Sequence, residues 1–177
     1  VGIHTLGMLE TTNDWKEDAL NLIARMPRLM GLIFRIREGR EQDIPADDTS
    51  LSMVDRFVRT LDLHDVDDDK MKQIISTYLV LHMDHGGGNL STFAGKAIAS
   101  SKATVYSAMA GAMNALSGPL HGRANQSCLE FVLKVGTSDP AEVEAFVRAE
   151  LKANRPIFGF GHAVLRSEDP RATAQFK

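Results

Sequence analysis

Apolar residues recur at helical spacing along most of the chain, and this periodicity limits the fold more than any other feature of the sequence. Between residues 14 and 40 they fall at i, i+3 and i+4, so they share one face of a helix. Pro27 interrupts the pattern there, and proline is tolerated in a first helical turn. We therefore expect one helix to end near Met26 and a second to begin at Pro27. Strand-type alternation of useful length is absent, so the sequence predicts an all-α fold.

Capping signals mark where the later helices begin. Asp139 and Glu142 have the spacing of a capping box, with Pro140 in the first turn. The acidic residues 62–69 lack the glycine and the glutamate that a calcium loop requires, so they indicate a helix start at which carboxylates favour the dipole. The predicted helices span residues 51–61, 70–82, 89–100, 104–116, 122–135 and 138–153, with a short one from 169. The side chains expected to be buried on two of them are Met71, Ile74, Ile75, Tyr78 and Leu79, and Cys128, Leu129, Val132 and Leu133.

Length, charge and cysteine content exclude several kinds of protein. The 177 residues carry a formal net charge of −3, so no basic surface for nucleic acid is indicated. The apolar runs fall short of the roughly 20 residues that a membrane span requires. The single cysteine, Cys128, excludes an internal disulfide, fits a reducing compartment and is interpreted as a core residue. Three arginines at the end of the second predicted helix either favour its dipole or contact an anion: Arg35, Arg37 and Arg40.

Small residues form a stripe on the helix predicted over residues 104–116. Ser107, Gly111 and Ala115 recur every four residues, so a neighbouring element can approach this face closely. A helix of this kind lies in a core or at a subunit interface, and the pattern alone leaves both interpretations open.

The chain turns sharply where this helix ends, over residues 117–126. Pro119 cannot continue the helix, and the glycines at 118 and 122 permit a tight turn. His121 thereby lies close to the N-terminus of the next helix, whose positive end disfavours an imidazolium ion. We expect a neutral His121 that donates a hydrogen bond, which suits an enzyme that stabilises an enol or enolate.

Two further histidines lie at the end of a predicted helix. His82 and His85 are one turn apart and precede a run of three glycines. They could ligate a metal ion, but the sequence has neither the glutamate of an HExxH helix nor a nearby cysteine pair. For His82, a solvated or capping residue at a helix end is therefore the preferred interpretation.

A glycine-rich loop precedes another histidine, His162. Gly159 and Gly161 let the backbone approach a ligand, and Arg166 and Arg171 follow within nine residues. Guanidinium groups bind carboxylate or phosphate through two parallel hydrogen bonds. The motif therefore indicates an anionic ligand, with a surface loop and two solvated arginines as the alternative.

The three histidine motifs, at residues 82–89, 117–126 and 159–171, resemble those of citrate synthase in their order and rough spacing. The resemblance extends from about Ile3 to Phe176 and is greatest to the branch that includes the mitochondrial enzymes. It implies a helical large domain over residues 1–117 and the first part of a small domain over residues 118–177, as in the middle of such an enzyme. It also implies a homodimer, in a bacterial cytoplasm or in the mitochondrial matrix.

The resemblance assigns roles to these residues. His85 and Arg171 would bind oxaloacetate, and His162 would bind its carbonyl and polarise it toward carbon–carbon bond formation. His121 would donate to the thioester oxygen of acetyl-CoA as the enolate or enol forms. No metal and no cofactor are implied, since the coenzyme A thioester is a substrate. The residues that would face coenzyme A are Arg166, Gly159 and Gly161.

One catalytic group of the family has no counterpart in this sequence. In the family, the aspartate that accepts the methyl proton of acetyl-CoA lies well downstream of the third motif. Asp169 matches a different position of the family's pattern. We therefore expect the 177 residues alone to be inactive.

Other functions fit the same motifs. A 2-methylcitrate synthase performs the same chemistry on propionyl-CoA, and one methylene in an apolar pocket changes binding by only about 1–3 kcal/mol. The citrate-forming module of a citrate lyase is a further alternative. Outside the enzymes, the alternative is a non-catalytic helical segment that packs or dimerises.

Overall fold

The computed structural model describes residues 1–64, 66–83, 86–161 and 166–176. These residues form α-helices, one short 3-10 helix and connecting loops, and no strand occurs among them, so the prediction of an all-α fold is confirmed. None of these helices is both long and apolar enough to span a membrane. The α-helices are α1 (Gly2–Glu10), α2 (Trp15–Arg37), α3 (Met53–Leu61), α4 (Asp68–His82), α5 (Leu90–Ala99), α6 (Val105–Leu116), α7 (Ala124–Val135), α8 (Pro140–Lys152) and α9 (Pro170–Gln175), and the 3-10 helix is Glu41–Asp43.

Side-chain caps begin several of these helices where the sequence predicts them. The Asp139 carboxylate accepts backbone N–H bonds from Ala141 and Glu142, both at 3.0 Å, at the start of α8. Asp67 accepts from the backbone N–H of Lys70 at 2.9 Å, so the acidic run does begin a helix. Each cap satisfies an N–H group that has no partner within its own helix. Other side chains that cap in this way are Asp14, Ser52, Asn89 and Asp169.

The helix α2 passes through Pro27 without interruption, so the predicted break at this residue is wrong. Proline removes one backbone hydrogen bond and crowds the carbonyl four residues earlier, which costs about 3 kcal/mol inside a helix. The helix continues because it is buried on both sides of Pro27. Leu22 in the first half, and Gly31 and Arg35 in the second half, are all buried.

Arg35 is a buried structural residue, whereas the sequence predicted an arginine that favours the helix dipole or contacts an anion. Its side chain is only 3% exposed. The guanidinium donates to the carbonyl of Thr60 at 2.6 Å, of Asp43 at 2.9 Å and of Arg59 at 3.3 Å. One side chain therefore joins α2 to α3 and to the 3-10 helix.

The chain divides into two compact units, Val1–Gly111 and Ala112–Lys177, which we call the first and second units. The division falls within α6. The predicted boundary between a large and a small domain, after Ser117, remains a prediction.

The first unit has an apolar core. In it, α3 packs against both α2 and α4, and α1 packs against α2. Tyr106 of α6 is fully buried, and burial raises the pKa of its hydroxyl. This hydroxyl has no hydrogen-bond partner among the described residues. The buried apolar residues that form one cluster are Ile3, Leu22, Tyr106 and Ala110.

Gly111, a member of the small-residue stripe on α6, leaves room for one side chain of α5. A Cβ atom at Gly111 would overlap the Cδ1 atom of Ile98, so glycine is what allows this side chain to reach the α6 backbone. At Gly111 the neighbour predicted from the stripe is thus a helix of the same unit.

Two predicted apolar faces are exposed. On α4, Ile74 and Tyr78 are 60% and 44% exposed, and on α7 the side chains of Leu129, Val132 and Leu133 are largely exposed. Their predicted burial is wrong for this chain, because no other described part of it covers these side chains. The partly buried residues of the two faces are Met71, Ile75, Leu79 and Cys128.

Candidate functional site

His121 lies in a turn between α6 and α7. Its backbone N–H donates to the carbonyl of Gly118 at 3.1 Å, and the N–H of Gly122 donates to the carbonyl of Leu116 at 2.9 Å. These hydrogen bonds close the turn onto the last residue of α6. Because Gly122 is still part of the turn, α7 begins at Ala124 rather than at the predicted residue 122. His121 therefore lies just before a helix N-terminus, as the sequence predicted.

Gly122 is required by the packing of this turn. A Cβ atom there would lie 2.6 Å from Cγ of Leu116 and would also meet the Leu116 carbonyl. Since side chains do not pack this closely, a larger residue would displace the turn that holds His121. A groove of about 480 Å³ opens at the turn, lined by Met113, Leu116, Ser117, Gly122, Arg123 and Gln126.

The loop of residues 155–161 contains the two glycines that the sequence predicted to approach a ligand. Gly159 and Gly161 have φ angles of 88° and 132°, which residues with a side chain rarely adopt. Gly159 packs against α7, since a Cβ atom there would lie 2.5 Å from Sγ of Cys128. At Gly161, a Cβ atom would meet no described neighbour within 4 Å. The loop therefore contacts the helix at Gly159 and presents bare backbone at Gly161.

Glu150 anchors the start of this loop, a role that the sequence analysis missed. Its carboxylate accepts from Nε and Nη2 of Arg155 at 2.7 and 2.8 Å, and from Nζ of Lys134 at 3.3 Å. Chiefly through the hydrogen bonds from Arg155, the pKa of Glu150 falls from its ordinary 4.5 to about 2. The cluster joins α8 to α7 and to the loop. The only sequence signal is a glutamate five residues before an arginine at a helix end, and that signal is weak.

Asp169 orients Arg171, and this pairing was also missed from the sequence. Nε of Arg171 donates to both carboxylate oxygens at 3.0 Å, and Nη2 donates to Oδ2 at 2.6 Å. The hydrogen bonds to Asp169 raise the pKa of Arg171, so the guanidinium stays charged. The Arg171 side chain is 33% exposed, and a guanidinium has five N–H donors, so it can also bind an anion.

The remaining predicted site residues are described only in part. Arg166 is exposed. His85 and His162 lie outside the described residues, so their predicted roles stay predictions. His82 stacks on Tyr78 with ring centroids 4.0 Å apart, and its Nδ1 donates to the Tyr78 carbonyl at 2.6 Å. Within the described ranges, no group of three His, Cys, Asp or Glu side chains could hold a metal ion.

The second unit thus contributes three kinds of group with distinct chemistry. A histidine beside a helix N-terminus can donate to an oxygen on which negative charge develops. Glycine backbone in an open loop can approach a ligand closely. A charged and oriented guanidinium can bind a carboxylate. Each group by its own chemistry suits a reaction of an anionic substrate that passes through an oxyanion. The residues concerned are His121, Gly159, Gly161 and Arg171.

Known proteins match the chain over nearly its whole length. A family model described as the C-terminal domain of citrate synthase matches residues 2–177. The mitochondrial 2-methylcitrate synthase of Yarrowia lipolytica is 37% identical in an alignment of 164 residues that covers 90% of this chain and 35% of that protein. The mitochondrial citrate synthase 4 of Arabidopsis thaliana is 36% identical in an alignment of 179 residues, gaps included, that covers 98% of this chain and 36% of that protein. The chain therefore spans about a third of the length of these curated relatives.

Solved structures of the same kind match the fold. The citrate synthase of Thermotoga maritima MSB8 matches with a TM-score of 0.77 and 32% identity, over 97% of this chain and 46% of that chain. A citrate synthase of Thermoplasma acidophilum, solved as a ternary complex with carboxymethyl coenzyme A and oxaloacetate, has a TM-score of 0.73 and 26% identity. That match covers 97% of this chain and 45% of that chain.

Proposed function

The chain belongs to the citrate synthase family, and from this premise we propose that its gene product condenses acetyl-CoA with oxaloacetate and hydrolyses the thioester to citrate and coenzyme A. The observation that carries the proposal is the His121 turn, closed by two backbone hydrogen bonds just before α7. Such a turn fixes the backbone that carries the imidazole donor before charge develops on the substrate, and donors positioned in advance stabilise an enolate.

In this proposal, oxaloacetate is bound by His85, His162 and Arg171. The described part of this set is Arg171, whose guanidinium is charged, oriented by Asp169 and partly exposed. A carboxylate would accept two parallel hydrogen bonds from it, as bidentate recognition requires. His162 would also donate to the carbonyl under attack and polarise it.

The acyl donor is proposed to meet His121 and the glycine loop. His121 would donate to the thioester oxygen as the methyl group loses its proton. Gly159 and Gly161 would offer backbone to coenzyme A, and the exposed Arg166 would approach its phosphates. We propose no metal and no cofactor, because coenzyme A enters as part of the substrate.

The general base is proposed to come from outside these 177 residues. We propose that none of the carboxylates within these residues is the family's catalytic aspartate, since Asp169 is engaged with Arg171 and with the start of α9. We therefore propose that the chain alone does not turn over. A homodimer is the proposed assembly, and the cytoplasm of a bacterium or the mitochondrial matrix is the proposed compartment.

A 2-methylcitrate synthase is the second candidate, because one of the similar proteins carries that name. The experiment measures oxaloacetate-dependent thiol release from acetyl-CoA and from propionyl-CoA by the full-length gene product. Release from acetyl-CoA at the higher kcat/KM supports the first candidate, and a preference for propionyl-CoA supports the second. Release from neither thioester would contradict both and would favour a non-catalytic role in packing or dimerisation.

Two variants test the assignments within the site. His121→Ala should reduce kcat severely while oxaloacetate binding survives, whereas the exposed His64→Ala should change neither. Arg171→Leu should abolish oxaloacetate binding measured by calorimetry. Near-normal turnover in the first variant, or unchanged affinity in the second, would refute the corresponding role.

A further inference from the structure

The loop of residues 155–161 is attached to the helices of the second unit at two points. The first is Arg155, which donates through Nε and Nη2 to Glu150 and through its backbone N–H to the Glu150 carbonyl at 3.0 Å. Lys134 of α7 donates to the same carboxylate. Glu150 is 8% exposed and is the one buried residue among those described in the second unit. The start of the loop is therefore tied to both α7 and α8.

The second attachment is the contact between Gly159 and Cys128. Sγ of Cys128 fills the place that a Cβ atom of Gly159 would occupy, and the Cβ of Cys128 lies 3.4 Å from that place. The loop backbone thus rests directly on the thiol of α7. A larger side chain at 128 would lift the loop, and a smaller one would leave a gap beneath it.

The segment between the two attachments is short. Only residues 156–158 lie between them, and a chain advances at most about 3.3–3.6 Å per residue. Pro156, the first of the three, has a fixed φ angle. A shift of Arg155 or of Cys128 is therefore passed on to Gly159 and Gly161 rather than absorbed by the loop.

We propose that Glu150 and Cys128 are positioning residues that set where this loop meets the acyl-CoA substrate. Glu150 acts through Arg155, and Cys128 acts through Gly159. The proposal rests on the proposed function, in which Gly159 and Gly161 face coenzyme A, and it concerns two side chains that do not themselves touch the substrate.

The first test follows the loop without relying on catalysis. Iodoacetamide alkylates Cys128 in the full-length gene product, and mass spectrometry of the peptide that contains it gives the rate. Glu150→Gln is compared with Glu144→Gln, which alters an exposed ion pair with Arg148 on the same helix. We expect Glu150→Gln to raise the rate about fivefold or more, because local opening of the loop uncovers the thiol. The control should react like the unmodified protein, and equal rates in all three proteins would overturn the proposal.

The second test separates positioning from general stability. In Glu150→Gln, the KM for acetyl-CoA should rise about tenfold while the KM for oxaloacetate stays within about twofold. An equal rise in both KM values, with a lower unfolding temperature, would indicate a purely structural role and overturn the proposal. If the unmodified protein releases no thiol, the proposed function fails, and the alkylation rates still decide whether Glu150 holds the loop on Cys128.

Variants at the other attachment give an independent result. Cys128→Leu should raise the KM for acetyl-CoA about fivefold by lifting the loop, whereas the similarly sized Cys128→Ser should leave it unchanged. An unchanged KM in Cys128→Leu would contradict the proposal. Should circular dichroism show that Glu150→Gln does not fold, Arg155→Lys replaces it, since lysine loses the two-pronged pairing and keeps the charge.

Discussion

Different kinds of interaction stabilise the interior of each of the two units. In the first unit, apolar side chains such as Leu22 and Tyr106 are buried, and the buried Arg35 bonds to three backbone carbonyls. In the described part of the second unit, Glu150 alone is buried. There, backbone hydrogen bonds, glycine conformations and ion pairs position the helices and loops.

The unit that contains few buried residues among those described is also the one that contains three parts of the proposed site. The His121 turn, the Gly159 loop and Arg171 all lie in the second unit, and polar contacts help to fix each of them. Close packing adds to these contacts where Gly122 meets Leu116 and where Gly159 meets Cys128. Polar contacts fix direction as well as distance, which suits groups that must meet a substrate in one geometry. A single substitution can also remove one polar contact without disrupting the packing of an apolar core. The comparison therefore predicts global effects of substitutions in the first unit and local ones in the second.

The largest effect is expected from Arg35→Met in the first unit. The substitution leaves three carbonyls around Arg35 without their donor and should lower the free energy of unfolding by about 3–5 kcal/mol. Arg37→Met, at an exposed position of the same helix, should change it by less than about 0.5 kcal/mol. Urea denaturation of both variants measures the free energy of unfolding. A loss below about 1 kcal/mol in Arg35→Met would remove the basis for contrasting the units.

A smaller effect is expected from Gly159→Ala in the second unit. The positive φ angle disfavours alanine by about 1–2 kcal/mol, and the new Cβ would press on Sγ of Cys128. Gly118→Ala is the control, because its Cβ would have the Ala115 carbonyl oxygen as its nearest neighbour at 3.8 Å. Thermal unfolding should shift for the first variant and not for the second. Equal shifts would mean that the loop conformation is not specified by Gly159.

Lowering the pH should reduce the stability of the second unit, because Glu150 becomes protonated. Its pKa is lower in the folded chain, about 2, than its ordinary value of 4.5. The stabilisation is therefore complete above the unfolded value and is lost as the pH falls from about 4.5 toward 2. Amide protection factors in α8 should therefore fall over this range in the unmodified protein, and this fall should be smaller in Glu150→Gln. The same pH dependence in both proteins would place the acid sensitivity elsewhere, for example at Asp18 of the first unit, whose pKa is also lowered.

The smallest effect is expected from Tyr106→Phe. The Tyr106 hydroxyl is buried without a partner among the described residues, so its removal should be neutral or should stabilise the first unit by up to about 1 kcal/mol. Tyr78→Phe, at an exposed position, serves as the control. Chemical denaturation compares the two. A destabilisation of more than about 1 kcal/mol would show that the hydroxyl has a partner in the folded protein, such as a bound water.

The local signals in the sequence were sufficient for the starts of several helices. Asp67, Asn89 and Asp139 cap helices where the sequence predicts starts, because capping depends on residues only two or three positions away. Pro27 was misjudged because burial of α2 on both sides of it is a tertiary effect that a local rule cannot contain. For the same reason, the helical spacing of Ile74 and Tyr78 predicted a covered face that the described residues do not provide.

The local geometry of the candidate site was predictable where it depends on a residue's own chemistry and not where it depends on a partner. The turn at His121 and the unusual backbone of Gly159 were predicted from the sequence, because turn residues and glycines act locally, and the roles of His121, Gly159 and Arg171 stay predictions. Arg35 was misassigned, because its carbonyl partners at Asp43, Arg59 and Thr60 are set by the packing of α2 on α3. Glu150 and Asp169 were missed because a carboxylate on a helix or at its cap gives no sign of which guanidinium it will orient.

The contact between Gly111 and Ile98 has a consequence for how this sequence can vary over time. Since the Cδ1 atom of Ile98 occupies the space of a side chain at 111, a larger residue at 111 requires the end of the Ile98 side chain to move or favours a shorter residue at 98. Lineages with alanine at 111 should carry valine or alanine at 98, and the order of the two replacements should run through the smaller residue at 98 first. The pair is therefore expected to evolve as a single unit, and ancestral sequences could be searched for that order of events.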